Sequence, residues 1–175
     1  MNEQETHAPI VEDAQLGLEL RPARPEDLAE LVALSIEAFQ DDTRFKPPGA
    51  YMGGPVGHDR LDYHKEWLSC YRYYACEHQG KIVGSAMVDV AGSLARIHGI
   101  HVSTASMGQG VGSWMLCALE TALPKVTQWT LETPDYAIRN HRFYEKNGYT
   151  LEKITQPEPK LGFGFYIYEK QMPVT

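Results

Sequence analysis

The sequence predicts a mixed α+β domain, with a mostly antiparallel sheet and helices on both faces. Two observations carry this. Three alternating apolar segments follow one another through the middle of the chain with only short turns between them, which is the pattern of an antiparallel meander. Segments with helical periodicity lie on both sides of that meander, and the later ones alternate with strands.

The elements follow in order. Residues 1–16, "MNEQETHAPIVEDAQL", are polar, acidic and without a period, and are expected to form a tail before a single domain over 17–175. "LELRPA" alternates as a first strand. "RPEDLAELVALSIEAF" reads as a helix, with Pro25 suited to the first turn and Leu28, Leu31, Leu34 and Ala38 on its inner stripe. "QDDTRFKPPGAYMGGPVG" is too rich in Pro and Gly for regular structure and reads as a long loop of the kind that often carries function. "HDRLDYHKEWLSCYR" is a second helix. "YYACEH", "IVGSAMVDVA" and "SLARIHGIHV" make the meander. A third helix follows "GQGVG". The strand "TQWTLET" and the helix "AIRNHRFYEKNGY" come next, with Gly148 at the C-cap, and "TLEKIT" and "FGFYIYEKQM" complete the sheet.

The chain has 175 residues and a net charge of −7, which argues against a nucleic-acid surface as the main function. No run approaches the length of a membrane span, and the first residues lack a basic-then-apolar signal pattern, so a cytoplasmic protein without a membrane partner is expected. Cys70, Cys76 and Cys117 are odd in number and lie in apolar patterns, as buried free thiols would in a reducing compartment. His58, His64, His98 and His101 show no zinc-ligand spacing, and no metal is expected.

The segment "HVSTASMGQGVGSWML" is the most informative. Glycines at 108, 110 and 112 open a helix, where backbone N–H groups and the helix dipole favour an anion such as a pyrophosphate. It is not a P-loop, because no Gly-Lys-Ser/Thr follows the spacer. It is not a Rossmann turn either, although Glu132 lies about 20 residues on. "STASM" separates the loop from its strand, and Ser113 stands where the third glycine belongs.

"IHGIHVSTASMGQGVGSWML" and "RNHRFYEKNGY" together resemble the GNAT superfamily of acyl-CoA N-acyltransferases, and the similarity runs from "LELRPARPEDL" to "YIYEKQM". The resemblance implies the GNAT fold and acetyl-CoA as co-substrate. It implies that Gly108, Gln109, Gly110, Val111, Gly112 and Ser113 hold the CoA pyrophosphate, that Ile100, His101 and Val102 lie along the pantetheine arm, and that Asn140 lies near that arm. Tyr144 would stand beside the sulfur. Met107 departs from the pattern, which has Arg or Gln at that position, so a side-chain phosphate contact is missing there.

Acetyl transfer to an amine needs a base, an oxyanion donor and an acid for the leaving thiolate. Tyr144 is the candidate acid. His98 and Glu132 are the candidate bases, with Asp89 behind them, His101 in competition, and water as a further route. Strand alternation would place His98 with Ile100 and Val102 on one face, and Ile97 with Gly99 and His101 on the other. Asp41, Asp42 and Tyr51 are candidate contacts for a cationic small-molecule amine. The expected activity is N-acetyl transfer by direct attack, since no activated nucleophile is evident. The alternatives are a non-catalytic acyl-CoA-binding module and a protein N-acetyltransferase. A homodimer through the last strands is conceivable by analogy.

Overall fold

The computed structural model describes residues 11–51 and 53–173. Eight strands form one sheet in the order β1-β2-β3-β4-β5-β6-β8-β7. They are β1 (Val11–Asp13), β2 (Leu18–Pro22), β3 (Arg72–His78), β4 (Lys81–Ala91), β5 (Leu94–Val102), β6 (Gln128–Pro134), β7 (Thr150–Ile154) and β8 (Phe165–Gln171). All pairings are antiparallel except that of β5 with β6. Helices α1 (Leu28–Thr43) and α2 (Leu61–Cys70) precede β3. Helix α3 (Val111–Ala122) joins β5 to β6, and α4 (Ile138–Lys146) follows β6.

The apolar residues sort onto the two faces as the periodicities require. One face buries Leu20, Val88, Ile97, Trp129, Leu131 and Tyr168 against Met115, Leu116 and Leu119 of α3 and Tyr144 of α4. The other buries Tyr73, Ala75 and Met87 under Leu28 and Leu31 of α1, with Trp67 of α2 beside them. The mixed α+β architecture with helices on both faces is therefore present.

Four local expectations change. Residues 1–10 lie outside the described residues, but Val11–Asp13, read as part of a tail, pair with β2. Asp41 and Asp42, placed in a loop by the sequence, sit in the last turn of α1, whose helix runs on to Thr43. Cys70 and Cys117 are exposed. Only Cys76 is a buried thiol, pushed up to about 12 by loss of solvent.

The fourth change bears on the site. Between β4 and β5, Met87 faces Gly99 but Val88 faces Ile97, which leaves His98 as an extra residue in β5. Such a bulge puts two residues opposite one and resets the alternation beyond it. Ile97, Ile100 and Val102 accordingly share the α3 face, while His101 turns to the α1 face with Ser85. The face assignment expected from unbroken alternation is reversed for Ile97 and His98.

Candidate active site

The sheet opens where β5 and β6 part. They pair only from Leu94↔Gln128 to Ile97↔Leu131. Beyond Ile97 the β5 edge facing β6 has no strand partner. The Ser103 N–H donates to the Val83 carbonyl at 2.9 Å, toward β4. Alternation along the strand then turns the N–H groups of Val102 and Ile100 the other way, into the gap.

A cavity of about 280 Å³ occupies this gap. Ile100, His101 and Val102 line it from β5, and Met107, Gly108, Gly110, Gly112 and Ser113 from the glycine loop and the start of α3. Arg139, Asn140, Phe143, Tyr144 and Lys146 line it from α4, and Ala38, Phe39 and Asp42 from α1.

The glycine loop is built as an anion-binding end. Gly108 and Gly110 have φ of 73° and 86°, left-handed values that favour glycine, and Gly110 is the N-cap of α3. Gly112 is needed for a different reason. A Cβ there would lie 3.1 Å from the Phe143 ring and 3.5 Å from Val102. Among the described residues, no protein acceptor is hydrogen-bonded to the backbone N–H groups from Gly108 to Ser113. Six successive N–H groups at the positive end of a helix are thus without a protein acceptor, and Gly108, Gly110, Gly112 and Ser113 of this run line the cavity; this donor set fits a diphosphate. The loop is tied to α1 through Glu37, which accepts from the Thr104 N–H at 2.6 Å and from the Thr104 hydroxyl.

The sequence-predicted residues fall into two groups. Tyr144 and Asn140 line the cavity. Burial raises the Tyr144 phenol above its ordinary pKa, so it stays protonated, and its hydroxyl has no protein partner among the described residues. The Asn140 side-chain amide donates to Thr133 Oγ1 at 3.2 Å. His98 and Glu132 do not line the cavity. The His98 ring packs on Tyr71 at 4.5 Å, and Glu132 pairs with Arg96 at 3.1 Å. Desolvation lowers the His98 pKa, with Arg96 adding to it.

Asp41 and Asp42 each accept from Arg139 at 2.7 Å, so both anchors are already engaged by α4. Burial raises the Asp42 pKa despite that cation. Tyr51 is exposed and lies outside the cavity lining, beside Lys46, whose ammonium donates to the Tyr51 and Gly53 carbonyls at 3.0 and 2.6 Å.

Sequence reasoning missed Arg139, Phe143 and Lys146. Their signal was present in the helix already singled out, since 139, 143 and 146 recur at the spacing of one α-helical face. The missing cation at Met107 therefore has a counterpart across the cavity, on α4.

Against curated proteins, no sequence match is found. The acetyltransferase (GNAT) domain model matches residues 69–151, from the end of α2 into β7. Solved structures share the fold at low identity. PaiA N-acetyltransferase from Thermoplasma acidophilum, solved in complex with coenzyme A, is 16% identical with a TM-score of 0.71, over 89% of this chain and 99% of its own. RimL, a ribosomal L7/L12 alpha-N-protein acetyltransferase, is 16% identical with a TM-score of 0.75, over 94% of each chain. The ribosomal-protein-S18-alanine N-acetyltransferase from Escherichia coli is 18% identical with a TM-score of 0.67, over 90% of this chain and 96% of its own. A parted strand pair, a glycine loop capping α3 and a Tyr-bearing α4 coincide with the segment that the acetyltransferase (GNAT) domain model matches.

Proposed function

We propose that the protein transfers an acetyl group from acetyl-CoA to the primary amine of a small molecule. The observation that carries this reading is the run of unpartnered N–H groups from Gly108 to Ser113, of which Gly108, Gly110, Gly112 and Ser113 line the same cavity as Tyr144. The loop donors would hold the pyrophosphate, with Lys146 and Arg139 adding positive charge at the rim. The Ile100 and Val102 N–H groups would donate to the pantetheine arm and to the thioester carbonyl, and Asn140 would lie against the arm.

Bound acetyl-CoA supplies an electrophilic carbonyl and a thiolate leaving group. Tyr144 is held protonated by burial and donates its hydroxyl proton where that thiolate departs. The main-chain N–H groups of β5 are fixed before the reaction and stabilise developing negative charge without reorganising. Phe39, Phe143 and Ile100 exclude water from the reacting centre. The acceptor reaches the centre from the α1 side, past Asp42, the only carboxylate among the lining residues. That carboxylate favours a cationic acceptor.

The reading is tested by incubating the protein with acetyl-CoA and a panel of primary amines, peptides included, while following free thiol and product mass. Thiol release coupled to a mass gain of one acetyl group on a small amine is expected. Acetylation of peptides alone would redirect the reading to a protein acceptor. Tight acetyl-CoA binding without thiol release from any amine would favour a binding module.

A further inference from the structure

The stretch from Thr104 to Gly110 leads from β5 into α3 and carries the start of the donor run, yet none of its residues is buried. Apolar packing therefore does little to fix it. Hydrogen bonds do more, and most are internal to the turn. The Ser106 N–H donates to the Ser103 carbonyl at 2.9 Å, and the Ser103 hydroxyl donates to Ser106 Oγ at 3.0 Å. The Gln109 side-chain amide donates to the Ala105 carbonyl at 2.7 Å. Such bonds stiffen the turn without setting where it points.

Two ties set its place. At the base, the Ser103 N–H donates to the Val83 carbonyl of β4 at 2.9 Å. Beyond it, from Thr104 to Gln109, Glu37 of α1 is the one outside partner among the described residues. Its Oε1 accepts from the Thr104 N–H at 2.6 Å and from the Thr104 hydroxyl as well. Thr104 opens a single 3-10 turn, Thr104–Ser106, so its N–H has no acceptor within the turn. Ser103 stands at the N-cap but makes no side-chain cap there, its hydroxyl being spent on Ser106. Glu37 supplies that cap from 67 positions earlier in the chain. Ala38 and Phe39, which follow it on α1, line the cavity.

We propose that Glu37 is a positioning residue for the cofactor. It caps the turn in place of Ser103, and so holds the N–H groups of Gly108, Gly110, Gly112 and Ser113 ready for a diphosphate. The inference rests on the acetyltransferase reading. Glu37 is not among the cavity-lining residues and acts through Thr104. A loop fixed beforehand loses little conformational freedom when the anion arrives, so less of the contact energy is lost to ordering. Both bonds end on one oxygen, and a glutamine amide presents the same oxygen as an acceptor. The role therefore needs the acceptor and not the charge.

The test is calorimetric titration of acetyl-CoA into the full chain, as wild type, Glu37→Ala and Glu37→Gln, with amide hydrogen exchange of the same proteins followed by NMR. Glu37→Ala should weaken acetyl-CoA binding by about 5–10-fold, as loss of a charge-assisted cap at an exposed turn implies, and should speed exchange at the Thr104 amide. Glu37→Gln should bind within about threefold of wild type and keep that amide protected. With whichever panel amine releases thiol, Glu37→Ala should raise KM for acetyl-CoA and leave kcat within about twofold, because saturating cofactor orders the loop. Unchanged acetyl-CoA affinity in folded Glu37→Ala, or Glu37→Gln as weak as Glu37→Ala, overturns the inference. Failure of the folded wild type to bind acetyl-CoA would instead overturn the acetyltransferase reading. Exchange at Thr104 would still decide the cap, since equal protection in all three proteins overturns it.

Discussion

At Tyr144 and Gly112 the account depends on single atoms. The Tyr144 hydroxyl faces the cavity without a protein partner, so Tyr144→Phe removes a donor and little packing. A kcat loss of about 10²-fold or more at unchanged acetyl-CoA affinity is expected, read by thiol release and calorimetry. Gly112 has no room for a branched side chain, since a Cβ would already lie 3.1 Å from Phe143. Gly112→Val should cost about 1–3 kcal/mol through overpacking, measured by urea unfolding, and should weaken acetyl-CoA binding by displacing a cavity wall. That Gly108 and Gly110 form a turn opening α3 was legible in the sequence as closely spaced glycines ahead of an apolar helix pattern. The orientation of Ile97 and His98 was not. One extra residue in β5 resets the alternation, and a bulge has no reliable signature in a run such as "RIHGIHV". Ile97 therefore joins Ile100 and Val102 on the α3 face, whereas His101 lies opposite them with Ser85, as alternation from Ile100 requires.

Among elements, the pairing of α1 with α4 defines the mouth of the cavity. Arg139 reaches from the first turns of α4 to Asp41 and Asp42 on the last turn of α1, and its guanidinium lies 5.4 Å from the Phe45 ring. Arg139 is about half-exposed, so each ion pair contributes only about 0.2–1 kcal/mol. Arg139→Ala is expected to lower the thermal midpoint by a few degrees, seen by circular dichroism, and to leave the fold intact. Its larger effect should be on KM for a cationic acceptor, because Asp42 would lose its resident partner. An unchanged KM for the amine would place the acceptor elsewhere. The strands and helices themselves were legible, since their periods of 2 and 3.6 are written in "YYACEH" and "LAELVALSIEAF". The Asp41–Asp42–Arg139 clasp was not. Its partners are nearly a hundred positions apart, and only the folded sheet brings the two helix ends together.

Over the whole molecule, the buried charges and histidines set the response to pH. Desolvation lowers the pKa of His101, His64 and His98, with neighbouring positive charge adding to it. An unfolded chain takes up protons near pH 6.5 that the native state refuses, so stability falls as pH drops below about 6.5 and His101 stops contributing below about 4. That one residue corresponds to about 3 kcal/mol across the window. Asp27 acts at lower pH. It is buried, yet the Arg21 guanidinium at 2.7 Å holds its carboxyl below the usual range, so its contribution is present above about pH 4 and is lost as pH falls through its native pKa. Urea midpoints should therefore fall between pH 7 and 4, and His101→Gln should flatten that fall. A flat wild-type profile would contradict the assignment of buried neutral histidines. The mixed α+β class was legible because a meander is followed by strand–helix alternation, whereas the insertion of β8 between β6 and β7 was not. What remained hidden was the parting of β5 from β6 after four paired residues, which no local pattern announces and which creates the cavity.

The central claim is that the glycine loop at the head of α3 holds coenzyme A. Its most direct test is calorimetric titration of acetyl-CoA into the wild type and into Gly110→Trp, with circular dichroism confirming that both are folded. The account predicts micromolar binding by the wild type and its loss in the variant, because an indole at residue 110 would occupy the mouth of the cavity and distort the N-cap. Equal binding by both proteins, or no binding by the folded wild type, would contradict it.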